Sequence, residues 1–338
     1  MFKSLTKSLF LTALLATAPL SQARLVQDIK SNQIELPDQV ERVADLWHAN
    51  NQIVLLLGGA DKLVGTTDVI KRNKWFSEVY PRINEVPALT NGQGVQLESL
   101  LEVQPQAVLV SNQAAKQEVE RAGLKAVLVQ FQDFDGLKNT VKITADVLGG
   151  NAPTIAETYI KELDGNIRFI AERLKNVSEQ DKPTVLHIAN ANNLYKIDGG
   201  MSIVGEWITK AGGKNALPNQ ANLVEVSMEE IINANPDVII IGSFNAIQGI
   251  KKIKADPLWK SLNAVKNNRI FVNPLGTFPW DRYSGEEALQ LLWAAKLFHP
   301  EKFADLNMVE KTQDFYKRYY QYNLTKENAE KILMGLDP

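Results

Sequence analysis

The chain contains no cysteine. That excludes a disulfide scaffold, a thiolate nucleophile, an iron–sulfur cluster and a Cys-ligated zinc site together. Histidine is nearly as scarce: His48, His187 and His299 are the only three, and no two stand at i, i+4. The HExxH type of zinc site is therefore excluded. Neither sign of charge dominates, with 37 Lys+Arg against 39 Asp+Glu. No basic excess announces a nucleic-acid partner. The run Leu9 to Leu20 has only 12 residues, short of the roughly 20 that span a bilayer. GxSxG, P-loop and GxGxxG motifs are missing, and no motif pairs two carboxylates. Gly58-Gly59, Gly149-Gly150, Gly199-Gly200 and Gly212-Gly213 read as isolated turns, not phosphate cradles. An enzyme is not expected.

What is present is the balance of a soluble globular protein, 45% hydrophobic and 22% charged over 338 residues, enough for two domains. The N-terminus reads as a targeting segment over residues 1–23. Lys3 and Lys7 are its basic region, Leu9 to Leu20 its apolar run and Ser21-Gln22-Ala23 its small-x-small cleavage site. A buried N-terminal helix is the alternative. Removing the two lysines leaves 35 basic against 39 acidic residues, a mature charge of −4. No cysteine follows the cleavage site to carry a lipid, so the mature chain is expected free in the periplasm.

An internal repeat organises the rest. Glu98 through Val110 and Glu229 through Ile241 share one layout: a short helix, a proline that stops it, and a continuous apolar strand. Such strands are buried on both faces, as in a parallel sheet between helix layers. A second strand follows in each half, Ala126 to Val129 and Ile270 to Val272, so the halves are expected to share a topology unless the likeness is chance. Between them runs the longest helical pattern, Ala152 to Lys175, with Asn151 as N-cap and Pro153 in the first turn. At 1.5 Å per residue its 24 residues reach about 36 Å.

Ligands of open α/β sheets bind beyond the carboxyl ends of the strands. In the first half that rule collects Trp47, His48 and Asn50 after the strand Val43 to Trp47, in a polar turn leading to a helix at Gln52. It adds Thr67, Arg72 with Trp75, and Asn112. An aromatic, an imidazole and amides suit a ring-bearing or metal-bearing small molecule. His48 is the metal-ligand candidate, an exposed loop histidine being the alternative. In the second half the Asn190–Asn193 run, Tyr195, Ser243 and Asn245 are expected to face the gap, while His187 reads as a satisfied core histidine. Gly276 through Tyr283 follows a strand and precedes a helix, with Ser284 and Glu287 spaced as a capping box. Trp280, Arg282 and Tyr283 there suit a chelate bearing carboxylates, since guanidinium binds carboxylate in bidentate fashion. A surface pair of Arg282 with Asp281 or Glu286 is the alternative. His299 is expected to cap a helix C-terminus, and Phe315, Tyr316, Tyr319 and Tyr320 to pack at i, i+4.

These segments together resemble the class III periplasmic substrate-binding proteins of ABC importers, the iron–siderophore, cobalamin and metal-chelate receptors. Arg42 to Gly59 with Leu63-Val64-Gly65, Leu97 to Leu101 with Pro105, and Ser227 to Ile232 with Pro236 carry the likeness over essentially the whole mature chain. Leu46 to Gln52 and Gly276 to Glu287 resemble a narrower branch that carries nickel or iron chelates. His48 stands where many relatives have proline, and Gln52 where many have glutamate, which favours a compact chelate. The resemblance implies α/β architecture: two Rossmann-like lobes, 24–150 and 177–338, joined by one long helix at 151–176. It implies a monomer without intrinsic cofactor that captures a metal chelate in the cleft and hands it to a membrane permease. Glu98 and Glu229 match the family's permease-docking positions, ordinary first-turn acids being the alternative. A molybdate or tungstate receptor and a secreted metal-dependent enzyme are the competing functions.

Overall fold

The computed structural model describes residues 23–90, 94–242 and 244–338. The expected targeting segment lies outside the described residues except for Ala23, and Ser243 lies outside them too. No helix among the described residues is long and apolar enough to cross a membrane.

A hairpin of β1 (Ala23–Gln27) and β2 (Gln33–Pro37) leads in. The first half is a parallel sheet of β3 (Val43–Asp45), β4 (Leu63–Gly65), β5 (Ala107–Val110) and β6 (Ala126–Leu128), in the order β4-β3-β5-β6. Its helices are α1 (His48–Leu56), α2 (Asp68–Arg72), α3 (Lys74–Val79), α4 (Leu97–Glu102), α5 (Gln113–Arg121) and α6 (Phe134–Leu148). Every residue of β5 is buried, as a strand covered on both faces requires. Helix α1 begins at His48, so the expected polar turn at 48–51 is instead its first turn.

Helix α7 (Ala152–Leu174) has 23 residues, about 35 Å. Its stripe of Ala152, Ala156, Tyr159, Leu163, Ile170 and Leu174 is buried, packed on α6 and on α12 (Glu287–Phe298). Tyr159 Oη donates to the Gly285 carbonyl at 2.8 Å, and Asn166 Nδ2 donates to the Ala288 carbonyl at 2.9 Å. Asn151 precedes the helix without a side-chain cap bond.

The second half departs from a simple copy of the first. Its sheet has β7 (Thr184–Asn190), β8 (Asn193–Ile197), β9 (Lys214–Asn215), β10 (Val224–Glu225), β11 (Val238–Ile241) and β12 (Ile270–Val272). The order is β10-β8-β7-β11-β12, with β9 beside β7. β7, β11 and β12 run parallel, as the repeat implied, but β8 returns antiparallel along β7. The asparagine run causes this: Asn190 Oδ1 accepts the Asn192 N–H at 3.0 Å, which closes a tight turn. The helices are α8 (Ile203–Lys210), α9 (Met228–Ala234), α10 (Ala246–Ala255), α11 (Asn263–Lys266), α12, α13 (Met308–Tyr319) and α14 (Lys326–Leu333).

One hydrophobic core runs through both halves, from Val43 and Ile53 through Tyr159 to Trp207, Leu291 and Phe315. The C-terminal residues return to the first half, where Trp75 Nε1 donates to the Leu336 carbonyl at 2.7 Å. The capping box before α12 is partial: Ser284 N–H reaches Glu287 Oε1 at 3.5 Å, but Ser284 Oγ accepts from Glu286 instead. The C-terminal tyrosines pack as helix partners, Tyr316 on Tyr320 at 4.9 Å between centroids. His299 is the C-cap of α12 and bonds the Gly212 carbonyl at 2.9 Å.

Candidate functional site

The carboxyl ends of β3, β4 and β5 face those of β7, β11 and β12 across a cleft. On the first half a chamber of about 480 Å3 is lined by His48, Thr67, Asp68, Asn112 and Glu118 among others. Between the halves a second chamber, about 380 Å3, is lined by His48, Val69, Arg72 and Lys74 on one side. Phe244, Leu275, Phe278, Pro279 and Arg282 line the other. A side pocket of about 150 Å3 shares Phe244, Pro279 and Arg282. His48 and Val69 border both large chambers.

His48 is half-buried at the start of α1, its ring 5.7 Å from that of Phe278 and tilted by 31°. Burial pushes its pKa below the usual imidazole value, and nearby Asp68 only partly opposes this. A helix N-terminus disfavours its protonation further. The imidazole is therefore neutral at pH 7, with a lone pair free to bind a metal.

Thr67 borders the first chamber while its hydroxyl accepts from Ile70 N–H at 3.3 Å, capping α2. Arg72 is exposed and paired with Asp68 at 2.7 Å. Asn112 borders the first chamber as the N-cap of α5, Oδ1 accepting from Ala115 at 2.9 Å. Arg282 keeps 15% of its side chain exposed and contacts Asp198 at 2.5 Å and Asp281 at 3.3 Å. Its pair with Asp281 lies inside the molecule, not on the surface, and both carboxylates hold the guanidinium charged against the penalty of burial.

Five expected site residues, Asn50, Trp280, Tyr195, Trp47 and Tyr283, line none of these chambers. Asn50 is fully buried, with Nδ2 on Asp45 at 2.9 Å and Oδ1 accepting from Thr144 at 3.1 Å. The helical turn at 48–51 carries it to the inner face of α1. Trp280 is fully buried in the continuous core. Tyr195 lies on β8 against Trp259, 6.2 Å between centroids, because the hairpin turns it from the gap. Trp47 is buried beside Phe131 at 5.4 Å and Tyr283 at 6.0 Å.

Tyr283 thereby joins the two halves. Its hydroxyl accepts from Asn222 at 2.7 Å and donates to Gln132 at 3.4 Å. It holds φ +55, a left-handed conformation that costs about 1–3 kcal/mol in a bulky residue and collects at functional sites. Sequence reasoning flagged the Gly276–Tyr283 segment without singling out Phe278 and missed Phe244; the two supply the chamber's aromatic surface. An aromatic two residues past the strand-ending Gly242 was the available signal for Phe244, now 59% exposed. It also missed Asp198, which no motif marks.

A family model described as periplasmic binding protein matches residues 43–274. The molybdate-binding protein MolA of Haemophilus influenzae is 25% identical, over 96% of this chain and 99% of MolA. The solved structure of molybdate-bound MolA superposes with a TM-score of 0.79 at 20% identity, covering 89% of this chain and 99% of that one. A periplasmic solute-binding protein from Veillonella parvula gives a TM-score of 0.80 at 23% identity, covering 93% and 97%. Helicobacter pylori CeuE in a nickel–histidine complex gives 0.75 at 20% identity, covering 92% and 99%. This chain belongs to the periplasmic binding protein family and shares the fold of these solute-binding proteins.

Proposed function

We propose that the protein captures a compact nickel or iron chelate in the cleft, in the periplasm, and delivers it to an ABC permease. His48 donates an imidazole nitrogen to the metal, and the carried chelator supplies the remaining donors. Arg72, Lys74 and Arg282 receive the chelator's carboxylates. The observation that carries this reading is a half-buried imidazole at the junction of two chambers, beside Phe278. Among the described residues no group of three or more His, Asp or Glu could hold a metal alone, so a metal would need donors from its own chelator. The 380 Å3 chamber, walled by Phe244, Phe278, Leu275 and Pro279, is roomy and apolar for a bare oxyanion and suits an organic shell.

Molybdate or tungstate is the second reading. The near full-length likeness to MolA favours it, as does the excess of three cations over one carboxylate, Asp337, around the chamber. In either reading residues 24–150 and 177–338 act as lobes, 151–176 as their strut, and the monomer docks its permease through Glu98 and Glu229.

Titration calorimetry separates the two. Nickel with free histidine binds the wild-type chain, and His48→Ala weakens it at least tenfold, about 1.4 kcal/mol. Undiminished affinity in His48→Ala would defeat the metal-ligand role. Tight binding of molybdate without any chelator, indifferent to that substitution, would establish the oxyanion reading.

A further inference from the structure

His187 lies beneath the cleft floor, fully buried in β7. Its Nδ1 is 2.8 Å from Asp198 Oδ2. Its Nε2 is 3.1 Å from Asp281 Oδ2, within ion-pair range but off the line of a hydrogen bond. Both carboxylates also contact Arg282, the one member of the cluster that reaches the 380 Å3 chamber between the halves. An unprotonated, electron-rich Nε2 this close to a carboxylate oxygen is repulsive, whereas the doubly protonated ring places its positive charge between the two carboxylates. The cluster then holds two cations and two anions.

The surroundings agree. Ile240 of β11 lies beside His187 in register, and Trp207 of α8 meets its ring edge-on at 5.9 Å. Glu206 of α8 is paired with Lys210 at 3.2 Å. Burial holds the Glu287 carboxyl well above the usual range. Tyr283 follows Arg282, with its own pKa raised by burial. Burial alone would lower the His187 pKa, but Asp198 and Asp281 outweigh it and the net shift is upward. Asp281 is held ionised, at about 2.

We propose that His187 is a positioning residue for the cleft: a buried imidazolium that, through Asp198 and Asp281, fixes the Arg282 guanidinium for an anionic ligand. The proposal rests on the cleft being the ligand site. Loss of the His187 proton leaves one carboxylate uncompensated, draws Arg282 inward and withholds its free N–H groups. Affinity for an anion is then full at lower pH and falls as pH rises through the raised His187 pKa.

Two measurements test this. Nuclear magnetic resonance of the ligand-free chain can follow each of its three histidines. Both His187 nitrogens are expected protonated at pH 7, and the Arg282 Nε shift moves in step with the His187 ring as pH rises. A neutral His187 at pH 7, or an Arg282 signal that ignores its titration, would overturn the proposal without touching the assigned cargo. Binding of molybdate and of nickel–histidine is then measured from pH 6 to 9. The affinity of the probe that binds is expected to fall about tenfold in the wild type. In His187→Gln it is already low at pH 6 and flat. A His187→Gln profile parallel to wild type would also overturn it. Binding of neither probe would count against the proposed cargo, while the resonance result still decides the state of His187 and its link to Arg282. Should His187→Gln not fold, the wild-type titration decides alone.

Discussion

Glu286 is fully buried under the loop that carries Phe278 to the cleft. Its Oε2 accepts from Thr277 Oγ1 at 3.1 Å and from Phe278 N–H at 3.2 Å. Burial raises its pKa more than these bonds and Tyr316 lower it, to about 7 against an ordinary 4.5. The folded chain therefore keeps a proton that the unfolded chain loses between pH 4.5 and 7. Stability falls as pH rises through that window, and the full loss of about 3 kcal/mol is present above it. Glu286→Gln should stabilise the protein by up to about 3 kcal/mol at pH 8 and by little at pH 4.5. Urea unfolding at the two pH values checks this, and equal gains at both would refute it. At this scale the sequence was partly legible. His48, Thr67, Arg72, Asn112 and Arg282 border the chambers because strand ends aim the following residues there. Asn50 and Trp280 do not, since a single helical turn or one buried ring reverses which side a residue faces. The raised pKa of Glu286 gave no signal, because it comes from burial, which local sequence does not display.

Helices α4 and α9 precede the two central strands in the same way. Each presents one exposed first-turn carboxylate, Glu98 and Glu229, with an exposed aliphatic three residues on, Leu101 and Ile232. Neither glutamate forms an ion pair among the described residues, whereas Glu230 is taken up in the Ser227 capping box. A carboxylate meeting a permease guanidinium in a desolvated contact is worth several kcal/mol when broken. Glu98→Arg and Glu229→Arg should each weaken binding to the permease in nanodiscs at least tenfold, about 1.4 kcal/mol, with ligand affinity unchanged. Unaltered permease binding by both would show that these are ordinary helix acids. The strands behind these helices were legible because parallel burial leaves unbroken apolar runs, all four residues of β11 being buried. The β7–β8 reversal was not, because its asparagines read equally well as a turn or as ligand-facing amides.

The two halves share more than a connecting rod. Helix α7 is bonded to the start of α12 through Tyr159 and Asn166. Gln52 of α1 accepts from Gly285 N–H at 2.7 Å and also bonds the Tyr320 hydroxyl. Trp47, Phe131 and Tyr283 close a triangle of rings across the join. The helix was legible from its 3.6-residue stripe; the continuous core was not, since sequence does not tell which apolar faces meet. Opening the cleft widely would separate buried surface and break these bonds, so closure on a ligand should be small. The cysteine-free chain allows clean spin labelling at exposed Gln117 of α5 and Lys251 of α10 after substitution by cysteine. The distance distribution between the labels should be narrow and unimodal without ligand. It should shift by only a few ångströms with saturating nickel–histidine or molybdate, whichever binds. A broad ligand-free distribution, or a shift near a helix diameter of about 10 Å, would mean that the join bends freely despite its shared core.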